Sequence, residues 1–252
     1  MAYVSFISDE DLLRCIKELH QSYERCKKNS TVDKFYSNKV DPIKFQFDMA
    51  FNEIDEESYI KSEIARQDDK TISNAIGVFQ QSLLGCIDGI NDLGVGQGCD
   101  ISNAAGTIFA EVKNKHNTMN SSSAEATFQK LQAVADRNPG ATCYLVQIIA
   151  KNSIDELWEG SFNHKYYSHP RVRIISGDKF YALLTGIPDA FKQLCDAIPR
   201  ATQDYLASIA VSSSTGTAQA SVYSQLDAKA QNAGKTLLEQ IMSDNFSTYN
   251  GF

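Results

Sequence analysis

The fold is decided by the stretch Gly98-Cys-Asp-Ile-Ser-Asn-Ala-Ala-Gly-Thr-Ile-Phe-Ala-Glu-Val-Lys-Asn-Lys-His-Asn117. Over residues 107–113 the sequence has the two-residue period of a β-strand, so Glu111 and Lys113 share the face opposite the apolar residues. Asp100 precedes Glu111 by eleven positions, and residues 102–106 between them have the composition of a turn. A hairpin through that turn returns Asp100 to the side of Glu111, while Lys113 follows about 7 Å farther along the strand.

Two acids and a lysine in this arrangement predict a site for a divalent metal ion. Asp100 and Glu111 supply hard carboxylate oxygens, the carbonyl of Val112 is a possible third ligand, and such oxygens suit Mg²⁺. Lys113 can orient a water molecule and offset charge that develops on a phosphate. A Glu-x-Lys pair also occurs on the solvent face of edge strands, and Asp100 could be an ordinary turn residue. The residues alone leave both interpretations open.

The spacing Asp-(x)10-Glu-Val-Lys that ends at Lys113 resembles the PD-(D/E)xK nuclease motif, with Cys99 where the motif usually has proline. Flanking segments resemble a bacterial type II restriction endonuclease family associated with GGNCC-type sites, and the likeness extends from about Phe6 to about Asp204. These segments are Asp41-Pro-Ile-Lys44, Asn114-Lys-His-Asn-Thr-Met-Asn-Ser-Ser-Ser123 and Tyr167-Ser-His169.

The resemblance implies an α/β fold with a restriction-endonuclease-like mixed β-sheet core flanked by helices. It implies Mg²⁺-dependent hydrolysis of double-stranded DNA at a GGNCC-like site, and a cognate DNA methyltransferase as functional partner in the bacterial cytoplasm. A two-fold symmetric DNA site is matched most simply by a homodimer. Nucleases of this fold commonly bring a further acid from a helix, and Glu63 is the candidate, although a solvated helix charge is an equal alternative.

Polar residues in two parts of the sequence are candidates for DNA contacts. Amides, hydroxyls and cations are the groups that contact phosphates and base edges, and an arginine fork can pair with guanine. The first group of candidates, at the end of the predicted strand and after it, is Asn114, Lys115, His116, Asn117, Asn120 and Ser121. The second group is His169, Arg171 and Arg173, and these residues are equally consistent with structural ion pairs.

The composition fits an ordinary globular protein, with 42% hydrophobic and 22% charged residues. The net charge of −7 is mild evidence against nucleic-acid binding, because a duplex requires a basic surface, but only the local surface matters for binding. The six cysteines form no C-x-x-C pair, which argues against a structural zinc site and a disulfide scaffold. No apolar run reaches the roughly 20 residues of a membrane helix, and the acidic N-terminus is unlike a signal peptide.

Periodicity places the helices and strands around the hairpin. A helix is predicted from Ser8 or Asp9, and residues 58–88 predict two helices that separate near Asp68. The residues after Pro42 fit either a short strand or a helix. The stretch Ser121-Ser-Ser-Ala-Glu125 is predicted to begin a helix with a serine N-cap. This helix leads to the apolar strand 142–150, which should be covered on both faces. Strand–helix–strand order gives parallel pairing and the hairpin antiparallel pairing, so the predicted sheet is mixed.

Towards the C-terminus the predictions are a loop over residues 158–169, a strand over 171–175, and a helix capped by Asp178. A helix over residues 189–208 is predicted to be interrupted or kinked at Pro199. The endonuclease domain is assigned to residues 1–209. Residues 210–252 are assigned to a low-complexity linker and a final amphipathic helix with apolar anchors Leu226, Leu237, Leu238, Ile241 and Met242.

Two other functions compete with a restriction enzyme. One is a repair or recombination nuclease with the same core and little specificity, and the other is a non-catalytic DNA-binding or protein-interaction domain. Nucleotide binding is rejected, because the glycines from Gly94 to Gly98 lead into a hairpin and not into a helix N-terminus.

Overall fold

The structure is a computed structural model of the 252-residue chain. It describes residues 2–28, 41–94, 98–209, 228–236, 239–240, 243 and 246–251. The chain divides into two compact units, of which the first comprises Met1–Leu13 and Gln80–Phe252 and the second comprises Arg14–Phe79.

The described residues of the second unit are mainly helical. This unit contains most of α1 (Asp9–Lys28) and all of α2 (Pro42–Asn52), and α2 resolves the open choice after Pro42 in favour of a helix. The Asp41 carboxylate accepts hydrogen bonds from the amides of Ile43 and Lys44, and proline occupies the first turn, where a missing N–H costs nothing.

The helix that follows is α3 (Glu56–Gly85), a single helix of 30 residues. The predicted break near Asp68 is therefore wrong. Two adjacent aspartates lower helix propensity only slightly, and neither glycine nor proline is present there to end the helix.

The first unit is built on a mixed sheet, as predicted, and the sheet has six strands. The strands are β1 (Ile90–Asp92), β2 (Ile101–Asn103), β3 (Ile108–Lys115), β4 (Thr142–Ile149), β5 (Asp155–Leu157) and β8 (Val172–Ser176). Their order is β1-β2-β3-β4-β8-β5, in which β3 pairs parallel with β4, β4 pairs parallel with β8, and the other pairings are antiparallel. The predicted hairpin is the β2–β3 pair.

Helices cover both faces of this sheet. On the face that carries Phe109, α4 (Ser121–Arg137) packs through fully buried Phe128 and Leu131 against Leu145 of β4. On the opposite face, Tyr144 contacts Phe180 of α5 (Gly177–Thr185), which is followed by α6 (Ala190–Ser208). Residues 143–148 of β4 are buried, which confirms the prediction of a central strand covered on both faces.

Helix α4 begins at Ser121, within the predicted start, but its N-cap is Asn120, so the prediction of a serine N-cap is wrong. The Asn120 side chain accepts a hydrogen bond of 2.8 Å from the Ser123 amide. Ser121 has a different role, because its hydroxyl accepts a hydrogen bond of 2.9 Å from the Asn163 amide. Asparagine and serine are about equally good N-caps, so composition alone could not choose between them.

The predicted loop over residues 158–169 contains a two-stranded hairpin of β6 (Gly160–Phe162) and β7 (Lys165–Tyr167). Asn163 and His164 both have positive φ, as a two-residue hairpin turn requires. The Tyr167 hydroxyl bonds to Glu125, and the Asn163 side chain also contacts that carboxylate, so the hairpin is attached to the first turns of α4.

The first turn of α5 differs from the prediction, because the N-cap position is Ser176 and not Asp178. The buried Asp178 carboxylate instead accepts hydrogen bonds from the hydroxyls of Ser176 and Ser153. Helix α6 continues through Pro199 as one element, so the helix is not interrupted there.

The C-terminal residues 246–251 pack on this unit. Tyr249 is buried, and its hydroxyl donates to the Ile148 carbonyl and accepts from the Ala150 amide at the end of β4. Its ring lies beside those of Phe191 and Phe246. The predicted linker and the anchors Leu226, Leu237, Leu238, Ile241 and Met242 lie outside the described residues. Among the described helices, none combines the length and the hydropathy that crossing a bilayer requires.

Candidate active site

The hairpin places Asp100 directly beside the central strand β3. The Asp100 amide donates to the Ala110 carbonyl at 2.9 Å. Two residues farther along β3, the Val112 amide donates a hydrogen bond of 2.8 Å to Oδ2 of Asp100. The Asp100 side chain thus takes the place that a backbone carbonyl of β2 would have in the ladder. The carboxylate is therefore fixed at the point where the β2–β3 ladder ends.

Glu111 lies on β3, on the face that α4 covers, and it is only 7% exposed. Both oxygens of its carboxylate nevertheless have polar partners. Oε1 accepts from Lys113 Nζ at 2.9 Å, and Oε2 accepts from Lys130 Nζ at 2.6 Å. Burial of a charged side chain is tolerated here because each carboxylate oxygen has a cationic partner.

The two carboxyl groups have pKa values displaced in opposite directions. Burial raises the pKa of Asp100, and the neighbouring Glu111 charge adds to this effect, against the lowering by the Val112 amide. Burial also acts to raise the pKa of Glu111, but the hydrogen bonds from Lys130 and Lys113 outweigh it and hold that pKa below its usual range. The effect of the Glu111 charge on the Asp100 pKa agrees with the two groups lying near each other, and an added cation would relieve their repulsion.

Lys130 was missed by the sequence analysis. It lies on α4 between the buried residues Phe128 and Leu131, so the helix directs it towards the sheet at the edge of the apolar stripe. Burial alone would lower its pKa, but the hydrogen bond to Glu111 reverses the effect and raises it. A lysine next to a buried apolar stripe is common on helices. Its position indicates a site residue only when the strand that it faces is known to carry an acid.

Gln147 is a second residue that the sequence analysis did not single out. In the parallel register it is the neighbour of Lys113 on β4, and it is buried on the same face. The available signal was a single amide within the otherwise apolar run of β4.

No group of three or more His, Cys, Asp or Glu side chains is placed to hold a metal ion in the described part of the chain. The site thus offers two carboxylates, with main-chain oxygen as the remaining protein donor. This set is sparse for zinc but adequate for an ion that retains several waters, as Mg²⁺ does.

The polar residues at the end of β3 and directly after it lie in different surroundings. Lys115, His116 and Asn117 are exposed at the end of the strand, and the His116 amide continues the pairing by donating to the Ile149 carbonyl at 3.0 Å. Asn114 faces away from Glu111 by strand alternation, and its buried Oδ1 has no hydrogen-bond partner among the described residues. Asn120 caps α4, as described above.

The second group of candidates makes intramolecular contacts. His169 Nε2 lies 3.2 Å from Asp136 Oδ1, and Arg171 donates to the Asn138 carbonyl at 2.8 Å. The Arg173 guanidinium donates one hydrogen bond to the carboxylate of Asp155 and another to the backbone carbonyl of Asp155. These contacts are of the kind expected if the three residues have a structural role. Contacts of the same residues with DNA bases stay a prediction.

Glu63 belongs to the second unit, and its role at the metal site also stays a prediction. Its carboxylate accepts hydrogen bonds from Arg66 at 2.6 and 2.7 Å and from Gln67 at 2.9 Å. The bonds from Arg66 are the largest cause that lowers its pKa.

Comparison with known proteins identifies the family of the chain. The chain matches the family described as Eco47II restriction endonuclease over residues 4–207. It is 40% identical to the type II restriction enzyme Sau96I of Staphylococcus aureus, over 98% of this chain and 97% of that protein. It is 34% identical to the type II restriction enzyme Eco47II of Escherichia coli, over 81% of this chain and 88% of that protein. The chain therefore belongs to the Eco47II restriction endonuclease family and is a type II restriction enzyme, a sequence-specific DNA endonuclease.

Proposed function

We propose that this enzyme cuts both strands of double-stranded DNA at a GGNCC-like site, using Mg²⁺ held by Asp100 and Glu111. The observation that carries the proposal is the convergence of two carboxylates and the Lys113 ammonium on the end of the β2–β3 hairpin. Type II restriction enzymes generally use divalent metal ions, and the hard oxygen donors of this site favour magnesium among them.

The carbonyl of Val112 is the third protein ligand in this proposal. The N–H and C=O of a strand residue point towards the same neighbouring strand. The Val112 amide points to Asp100, so its carbonyl lies on that side too, beyond the last backbone pair between β2 and β3. This carbonyl has no ladder partner among the described residues, and beside a carboxylate it is a suitable oxygen donor for a hard cation.

Lys113 acts on the reacting groups. A bound divalent ion supplies an activated water and neutralises charge on the phosphate. The Lys113 ammonium, which lies 2.9 Å from Glu111 in this structure, is within reach of the same region. It orients the attacking water and stabilises the negative charge that develops on the phosphate oxygens.

The DNA contacts that we propose begin at the exposed end of β3. Lys115 is the last residue of β3, His116 and Asn117 follow it, and all three are accessible to solvent. Cationic and amide side chains at this position can bind the phosphates on either side of the scissile bond. Asn114, Asn120, Ser121, His169, Arg171, Arg173 and the helix acid Glu63 complete the proposed set.

The biological setting follows from the class of enzyme. A near-palindromic DNA site is cut on both strands most simply by a homodimer with one active site in each subunit. A cognate DNA methyltransferase is the expected functional partner, because host DNA carrying the same site must be protected. Both proteins would act in the bacterial cytoplasm, where the DNA is located.

The test is digestion of plasmid DNA of known sequence with Mg²⁺. We expect discrete fragments whose mapped ends lie in GGNCC-like sites, whereas a smear would indicate a nuclease of low specificity and intact DNA a binding domain. Lys113→Ala should abolish cutting and leave DNA binding largely intact. The exposed Lys179 on α5 provides a matched control, and Lys179→Ala should cut as the wild type does. Unchanged cleavage by Lys113→Ala would falsify the assigned role.

A further inference from the structure

Glu111 is held from two different elements of the fold. Lys113 of the same strand binds Oε1 at 2.9 Å, while Lys130 of α4 binds Oε2 at 2.6 Å. Lys130 also interacts electrostatically with Asp100. One ammonium from outside the hairpin therefore faces both carboxylates of the proposed metal site.

The position of Lys130 is set by the core and not by the flexible surface. Phe128 and Leu131, which flank it on α4, are completely buried against the sheet. The helix therefore cannot rotate or move away without breaking that packing. The Lys130 side chain is partly buried, and its ammonium reaches Glu111 of β3 from this fixed helix.

A divalent cation and an ammonium compete for the same oxygen. An ion that binds both Asp100 and Glu111 needs at least one Glu111 oxygen, and each of these oxygens now accepts a hydrogen bond from a lysine. Lys113 is the lysine to which the proposed function assigns a role in cutting. Lys130 binds the other oxygen and has no assigned role.

We propose that Lys130 is a positioning residue that holds the Glu111 carboxylate in the metal-free enzyme and leaves Oε2 when the divalent ion binds. The inference rests on the proposed function, because it requires that Asp100 and Glu111 bind the ion. Lys130 acts through Glu111, since its ammonium neutralises this buried carboxylate until the ion replaces it.

The test is a titration of the DNA-free enzyme with Mn²⁺, in which the free ion is measured by electron paramagnetic resonance. Lys130→Met keeps the apolar stem and removes the competing charge. We expect its dissociation constant for Mn²⁺ to fall about three- to tenfold, because one like charge near the ion is gone. Lys130→Arg keeps a cation of similar reach, and its affinity should remain close to that of the wild type.

Arg137→Met is the matched control, because it removes an exposed positive charge from the same helix. It should leave the Mn²⁺ affinity unchanged, and an equal gain in both variants would overturn the inference, since only the overall charge would matter. Unchanged or weaker Mn²⁺ binding by Lys130→Met would also overturn it. A merely structural lysine would change thermal stability without making metal binding tighter.

Asp100→Asn separates this inference from the proposed function. If this variant loses Mn²⁺ binding while Lys130→Met binds as the wild type does, the metal site stands and only the role of Lys130 is wrong. If Asp100→Asn binds Mn²⁺ as tightly as the wild type, the proposed metal site is wrong and the role of Lys130 falls with it.

Discussion

Replacing Tyr249 by phenylalanine should destabilise the protein while its packing is preserved. The hydroxyl accepts a hydrogen bond of 2.7 Å from the buried Ala150 amide and donates one of 3.1 Å to the Ile148 carbonyl. Burial raises the pKa of Tyr249 to about 12, so the hydroxyl is protonated at neutral pH and can donate. Phenylalanine retains the ring contacts with Phe191 and Phe246 but leaves both backbone groups without this partner.

The magnitude follows from the groups that lose their partner. A buried donor or acceptor left unsatisfied costs about 1–3 kcal/mol, and the two groups here share one hydroxyl, so we expect about 2 kcal/mol in total. For a chain of this length that corresponds to a fall in melting temperature of about 4–8 °C. Tyr249→Ala, which removes the ring as well, should cost about 3–5 kcal/mol.

Urea unfolding followed by fluorescence provides the assay. The single tryptophan, Trp158, is buried in the core of the same unit and reports its unfolding directly. Tyr166→Phe is the control, because Tyr166 is 62% exposed and its hydroxyl lies on the surface, so its stability should change by less than about 0.5 kcal/mol. A Tyr249→Phe midpoint indistinguishable from that of the wild type would show that the C-terminal segment does not stabilise the end of β4.

Two further predictions concern buried positions away from the site. Gly177→Ala should destabilise the protein by about 1–3 kcal/mol or more, because the added Cβ would lie 2.5 Å from the Ile148 carbonyl oxygen. Gly140→Ala, where a Cβ meets nothing within 4 Å, is its control in the same urea assay. Burial raises the pKa of the Cys99 thiol to about 12 and that of Cys143 to about 11, so both remain protonated at pH 8. Iodoacetamide should therefore label them slowly in the native protein and rapidly in urea, as measured by peptide mass spectrometry; fast native labelling would contradict the burial.

The sequence predicted the part of the fold where one residue pattern is sufficient. The alternation from residue 107 onward and the turn before it specified the β2–β3 hairpin, and with it the approach of Asp100 to Glu111. The apolar run of β4 was recognised because a strand covered on both faces has few alternatives. The PD-(D/E)xK spacing added the nuclease chemistry that periodicity could not supply.

The missed elements are those whose stability comes from tertiary contacts. β1 and β5 are three-residue strands with mostly exposed side chains, and they pair only because a neighbouring strand offers an edge. The β6–β7 hairpin depends on the attachment of Asn163 and Tyr167 to Glu125, which is far away in sequence. Lys130 was missed for the same reason, since its partner Glu111 lies on another element.

The hydrogen bond between Asp100 and the Val112 amide has a consequence for how inactive forms of this enzyme should be made. The side chain of Asp100 serves the strand edge as well as the site, so alanine would release a backbone group of β3 together with the carboxylate. Asparagine retains an oxygen acceptor opposite that amide and removes only the charge. It is therefore the better choice for trapping the uncut duplex in a crystal, because the edge of the hairpin is left as it stands.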